Sequence, residues 1–149
     1  MPLSACVGTE EVMSAWPEST GEAIHTGTFF GHAMSCYIAY ENLRIHQDQK
    51  LFSRALSFEQ TLRSHFETEL KPYSELIKDI RSCGLWMNIE FHEAGFGVKL
   101  MDTCREHGLI VLVCGGEGQS VSVIPPLNVK EEEILDGAKR LALALKSLS

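Results

Sequence analysis

A chain of 149 residues suits one domain with a core of useful size, and 44% hydrophobic with 22% charged residues is the balance of an ordinary globular protein, which excludes global disorder. A formal charge of -7, with no Lys or Arg before Arg44, argues against a nucleic-acid surface and excludes a basic N-terminal arm. No apolar run approaches the ~20 residues needed to cross a bilayer, there is no signal-peptide pattern, and the five scattered cysteines read as reduced thiols, so the expected compartment is the cytoplasm.

Pro2 to Val7 has the content of a short buried strand, and Thr9-Glu10-Glu11 is placed to cap a brief helix running to Trp16. Neither has a partner nearby in the sequence. From His32 the apolar positions Cys36, Tyr40 and Leu43 recur at helical spacing, His46-Gln47-Asp48-Gln49 interrupts, and Leu51, Ala55, Phe58, Leu62, Phe66 and Leu70 resume until Pro72. These two helices, or one helix broken near Gln47, need a sheet to cover.

Leu85, Met87, Ile89 and Phe91 alternate with Trp86, Asn88 and Glu90, the period of a strand with one face against helices. Gly95-Phe96-Gly97 reads as a turn, Val98 to Cys104 as a short helix ending at Gly108, and Leu109 to Val113 as a compact strand. Gly115-Gly116-Glu117-Gly118 then turns the chain into a strand from Ser120 to Ile124, giving a hairpin. After Pro125-Pro126, Glu131 to Glu133 open a last helix that carries Ile134, Leu135, Ala138, Leu141, Ala142 and Leu145 inward. Lys130 stands where a capping hydroxyl is expected, so Asn128 takes that role or the helix lacks about 1 kcal/mol of capping stabilisation.

The pattern predicts an α+β fold, a three- or four-stranded and mainly antiparallel sheet covered by the helices from His32 to Leu70 and from Glu131 to Leu148. Several motifs carry no chemistry. The Gly115 to Gly118 loop lacks a Gly-Lys-Ser/Thr ending and leads into a strand, and Gly95-x-Gly97 is too short for a dinucleotide site. None of the six histidines pairs with another ligand at zinc spacing, so no metal is expected; there is no Gly-x-Ser-x-Gly elbow and no cysteine in a nucleophile's context. Trp86 and Glu90 share a strand face, where a surface or inter-domain role is expected ahead of substrate binding.

The most function-like stretch is His25-Thr26-Gly27-Thr28-Phe29-Phe30-Gly31-His32. Hydroxyls and glycines lie here near a helix start, whose free N–H groups and dipole favour an anion such as a phosphate. The bland reading is that Thr28 or a neighbour caps the helix and the glycines form a tight turn. His25 and His32 flank it, as solvated side chains or as ligand contacts.

Gly21 to His32 with Ala33-Met34-Ser35-Cys36 resembles the segment that class III aminotransferases carry just after their catalytic lysine. Cys83-Gly84-Leu85-Trp86-Met87-Asn88-Ile89-Glu90-Phe91 is similar to the family's strand past the long helices, and Val123-Ile124-Pro125-Pro126-Leu127-Asn128 with Glu131-Glu132-Glu133-Ile134 resembles its C-terminal signature. The resemblance implies the small C-terminal domain of a fold-type-I aminotransferase over residues 32–149, with residues 1–31 a remnant of the large cofactor-binding domain and its phosphate-contacting loop. It implies pyridoxal phosphate, transamination between an amine or ω-amino donor and a keto acid, and a homodimer or N-terminal portion as partner, with neither nucleic acid nor membrane.

By the same resemblance Thr28 reaches across a subunit interface to the cofactor phosphate, beside Gly27 and Phe29, and Gly27 stands where a second hydroxyl is common. Ser122 takes the place of an arginine that grips an α-carboxylate in many members, which moves the expected substrate away from α-amino acids. The lysine that bonds the cofactor and the aspartate that pairs with its ring nitrogen belong to sequence preceding Met1, and none of Lys50, Lys71, Lys78, Lys99, Lys130, Lys139 or Lys146 is in the matching context. No catalytic residue is therefore assigned, and the chain is expected to be inactive alone. The alternatives are a non-catalytic binding or regulatory module, or a truncated product, that associates with a full-length aminotransferase.

Overall fold

A computed structural model of the chain describes residues 3–16, 18, 20–21 and 26–148. These form two compact units, Met1–Gln49 and Lys50–Ser149.

In the first unit, helix α1 (Glu10–Met13) is capped by Thr9, whose hydroxyl accepts from the Val12 N–H at 3.4 Å. Leu3 to Val7 is exposed and forms no strand, contrary to the sequence pattern, because no strand among the described residues takes up its backbone groups; Pro2 lies outside the described residues. Helix α2 (Ala33–Asp48) buries only Ser35 among its residues, and Tyr37, Ile38, Tyr40, Leu43 and Ile45 are exposed.

The second unit begins at Lys50, in left-handed backbone at φ 51°, and runs through α3 (Leu51–Ser57) and α4 (Glu59–Leu70). The expected single helix is interrupted at Phe58. Its ring lies 4.0 Å from the Arg54 guanidinium, which donates to the carbonyls of Leu127 and Val129. After α4 the 3-10 turn Lys71–Leu76 contains Pro72, and it leads into a strand the periodicity did not show, β1 (Ile77–Cys83). Gly84, at φ 58°, turns the chain into β2 (Trp86–Phe91).

Helix α5 (Phe96–Glu106) starts earlier than expected, so Gly97 lies inside it and the Gly95-Phe96-Gly97 turn reduces to Gly95 at φ 74°. A Cβ on Gly97 would stand 2.5 Å from the Ser120 carbonyl oxygen and 2.7 Å from that of Gly118, so close approach of backbones accounts for the glycine. Strand β3 (Leu112–Cys114) is shorter than the apolar run suggested, and Gly115 to Gly118 joins it to β4 (Ser120–Val123) as the expected hairpin. Helix α6 (Glu131–Leu148) closes the unit. Its capping comes from neither Lys130 nor Asn128: the Glu133 carboxylate reaches back to the Lys130 N–H at 2.8 Å, half of a capping box.

The four strands form an antiparallel sheet in the order β1-β2-β4-β3. Pleating sends Met87, Ile89, Phe91, Val121 and Val123 to one face, where α4 contributes Leu62, Phe66 and Leu70, α5 contributes Leu100 and Cys104, and α6 contributes Ile134, Ala138, Leu141, Ala144 and Leu145. Each fully buried Leu or Phe here contributes about 1.5–3 kcal/mol relative to exposure. The sheet cover thus comes from α4, α5 and α6. Helix α2, part of the expected cover, belongs to the other unit.

Candidate functional site

The Thr28 segment is two successive turns, closed by the Phe30 N–H donating to the Gly27 carbonyl at 3.0 Å and the His32 N–H to the Phe29 carbonyl at 3.1 Å. Gly31 takes φ 66°, a conformation in which a β-carbon is strained, and allows the chain to turn into α2. Neither Thr28 nor Thr26 caps the helix. His32 does, its Nδ1 accepting from the Ser35 N–H at 3.3 Å while the Ser35 hydroxyl lies 3.1 Å from the same atom. This arrangement assigns His32 a structural role; His25 lies outside the described residues.

Relieved of capping, Thr28 is exposed, and its hydroxyl and N–H find no partner among the described residues; the Phe29 N–H is likewise unpaired. Polar backbone groups left in this state need water or a ligand. The phosphate of pyridoxal phosphate, the cofactor the resemblance implies, fits that donor set: one hydroxyl and two N–H groups with room around them. Gly27 adds no donor of its own side chain and packs close to Phe30, whose ring would lie 3.0 Å from a Cβ there.

In the second unit the sheet face away from the helices is polar. Trp86, Asn88 and Glu90 of β2 stand beside Ser120 and Ser122 of β4, with Arg81 of β1 and Cys114 of β3 at the flanks. Arg81, Asn88 and Ser122 form one cross-strand row, Arg81 paired with Asn88 and Asn88 with Ser122. The row lines a cavity of about 290 Å³.

Ser122 is buried, and its hydroxyl is the meeting point of the cavity. Trp86 Nε1 and Asn88 Nδ2 each approach its Oγ at 3.5 Å, and Cys114 Sγ lies at 3.2 Å. Asn88 also donates to Cys114 Sγ at 2.8 Å. Glu90 is buried too, with Lys78 on one carboxylate oxygen at 2.7 Å and Arg81 on the other at 2.9 Å. The hydrogen bond from Lys78, joined by Arg81, holds the Glu90 carboxyl below the usual carboxylate range although burial acts the other way.

Sequence reasoning singled out Ser122, Trp86 and Glu90 but not Arg81, Asn88 or Cys114. The period-two alternation already put Asn88 on the face of Trp86 and Glu90. The register that sets it beside Ser122 and Arg81 is a cross-strand property, and β1 carries no period-two apolar alternation that would mark it as a strand. Among the described residues no cluster of His, Cys, Asp and Glu is arranged to hold a metal ion, and no helix is long and apolar enough to cross a membrane.

The family profile described as Aminotransferase class-III matches residues 1–145. The chain is 28% identical over 155 aligned positions to a 4-aminobutyrate aminotransferase of Mycobacterium tuberculosis, a match covering 99% of this chain and 33% of the relative. A thermostable omega transaminase 6-fold mutant from Pseudomonas jessenii superimposes with a TM-score of 0.76 at 29% identity, over 87% of this chain and 30% of that one. The Pseudomonas jessenii omega transaminase solved in complex with PMP gives 0.64 at 30% identity, over 74% and 26%.

The chain therefore belongs to the class-III aminotransferases, and its α+β fold is that of the small domain of a fold-type-I aminotransferase. It spans about a third of the length of the curated relatives it matches.

Proposed function

We propose that these residues are the C-terminal, phosphate-contacting portion of a pyridoxal-phosphate-dependent aminotransferase that works in the cytoplasm, moving an amino group between an amine or ω-amino donor and a keto acid. Residues 1–31 belong in this reading with a large cofactor-binding domain and residues 32–149 form the small domain. The observation that carries it is the hydroxyl of Thr28, exposed in its turn and without a partner among the described residues, within a chain matched by the family profile over residues 1–145.

When bound, pyridoxal phosphate supplies an electron sink for the reaction. The Thr28 hydroxyl and the Thr28 and Phe29 N–H groups hold its phosphate across a subunit interface; hydrogen bonds to a charged acceptor contribute about 1.5–3 kcal/mol each. No Lys or Arg precedes Arg44, so in this segment the grip is made by neutral donors. Ser122 lies in the substrate-facing cavity and leaves space where a guanidinium would project, which favours donors without an α-carboxylate. No lysine of the chain stands in the catalytic context, so the reacting amine is supplied by the preceding portion of an aminotransferase, and the 149 residues alone do not turn over.

The test is to mix the purified chain with pyridoxal phosphate, reduce with borohydride and measure intact mass. No stoichiometric adduct is expected. An adduct on one specific lysine, or turnover of an amine and a keto acid by the chain alone, overturns the proposal. A second reading, a regulatory module that pairs with a full-length relative, is favoured by the exposed Tyr37, Ile38, Tyr40 and Leu43 of α2, and co-purification with such a relative tests it.

A further inference from the structure

A keto acid brings a carboxylate into the site whatever the donor, and position 122 offers that carboxylate only a hydroxyl. The row across the sheet has other donors to offer. Trp86 Nε1 and Asn88 Nδ2 both converge on Ser122 Oγ at 3.5 Å, beyond the 2.7–3.2 Å of a well-made N–H···O bond, so the indole N–H and one of the two Asn88 amide hydrogens are lightly used, the other amide hydrogen going to Cys114 Sγ. The Asn88 amide is oriented by its Nδ2 donating to Cys114 Sγ at 2.8 Å, and its Oδ1 faces Arg81 Nη2 at the longer distance of 3.4 Å.

Arg81 completes the set. Its Nη2 meets Glu90 at 2.9 Å and its Nη1 meets Asp79 at 3.4 Å, while its Nε–H has no partner among the described residues. Glu90 does not depend on Arg81 alone, because Lys78 holds its other oxygen at 2.7 Å. The guanidinium is solvent-facing and lines the cavity with Trp86, Asn88 and Ser122. The cavity's acceptors are in turn largely taken: both Glu90 oxygens carry a cation, and the Asn88 oxygen faces Arg81. What is left over around a space of about 290 Å³ is the N–H donors of Arg81, Trp86 and Asn88 together with the hydroxyls of Ser120 and Ser122.

We propose that Arg81, Asn88 and Trp86 bind the carboxylate of the keto acid over Ser122, with Arg81 as the charged partner and the other two as neutral donors. The proposal rests on the reading above that this face receives the substrate. It assigns specificity to residues one and two strands away from position 122, and it makes the small size of Ser122 the condition for the carboxylate to reach them.

The experiment is a titration of the full 149-residue chain with pyruvate, following the indole N–H resonances of Trp86 and, as internal reference, Trp16. A saturable shift of Trp86 and none of Trp16 is expected, absent with methyl pyruvate, which lacks the carboxylate. Arg81→Gln should weaken binding at least tenfold, and Arg81→Lys, which keeps the charge and loses the planar fork, should restore part of it and serves as the folding control. Equal affinity in the wild type, R81Q and R81K overturns the role of Arg81. A Trp86 shift that occurs only in Ser122→Arg overturns the proposal while leaving this face as the substrate site. No shift in either the wild type or S122R overturns both.

Discussion

Glu59 of α4 accepts a hydrogen bond from the Gly84 N–H at 2.9 Å, which ties the helix to the tight turn between β1 and β2. Its other oxygen accepts from Ser82 at 2.8 Å, so a carboxylate on a helix satisfies polar groups at the end of a strand pair. The Gly84 N–H, then Ser82, pull the Glu59 carboxyl below its usual range. Glu90 is lowered as well, by Lys78 first.

A depressed carboxyl pKa favours the folded state above the unfolded value and loses that contribution as pH falls through the folded one. Stability should therefore be level above about pH 5.5 and decline below the ordinary carboxylate value of about 4.3. Urea unfolding from pH 7 to pH 3 checks this. Glu59→Gln should be less stable than the wild type at pH 7 and should show a shallower decline; an unchanged slope would mean the Glu59–Gly84 contact carries no linkage.

Gly97→Ala should destabilise the second unit by about 1–3 kcal/mol, because the new methyl meets two backbone carbonyls that have no side-chain freedom to yield. Gly116, where an added methyl would meet nothing within 4 Å, serves as the control, and G116A should fall within about 0.5 kcal/mol of the wild type. Equal midpoints for the two variants would show that α5 and the hairpin do not approach so closely.

Cys104 is fully buried among Leu100 and the sheet residues, and burial pushes its thiol up to about 12. Since the thiolate is the reactive species, Cys104 should resist iodoacetamide at pH 8, whereas the exposed Cys6, Cys36 and Cys83 should be labelled quickly. Peptide mapping before and after urea treatment reads the difference. Modification of Cys104 at the rate of Cys83 in the folded chain would contradict the packing.

Thr28→Ala should leave the urea midpoint of the isolated chain within about 0.5 kcal/mol of the wild type, since its hydroxyl supports no described contact. In a preparation reconstituted with the N-terminal portion of an aminotransferase, the same change should weaken cofactor retention about tenfold, the equivalent of ~1.4 kcal/mol. Thr28→Ser, which keeps the hydroxyl, should retain most of the affinity. Loss of stability without loss of cofactor would assign Thr28 to the fold instead.

Elements with a strong internal period were legible from the amino acids in order. The stripe Ile134, Ala138, Leu141 and Leu145 dictated α6, and the alternation from Leu85 to Phe91 dictated β2, because a helix or a half-buried strand writes its geometry into the spacing of its apolar residues. Strand β1 did not announce itself: Lys78, Asp79 and Arg81 fill an edge position where pairing with β2, not burial, holds the backbone extended. Leu3 to Val7 differs the other way, with strand-like composition and no strand to pair with among the described residues.

The sequence by itself determined the family resemblance, the Thr28 turn and the absence of a guanidinium at position 122. Only the tertiary structure decided that His32 caps α2 and so leaves the Thr28 hydroxyl free, and that Arg81, Asn88 and Ser122 stand in one row. Those facts depend on hydrogen bonds formed when a turn closes and strands choose their register, and no spacing along the chain specifies which residues will face each other across a sheet.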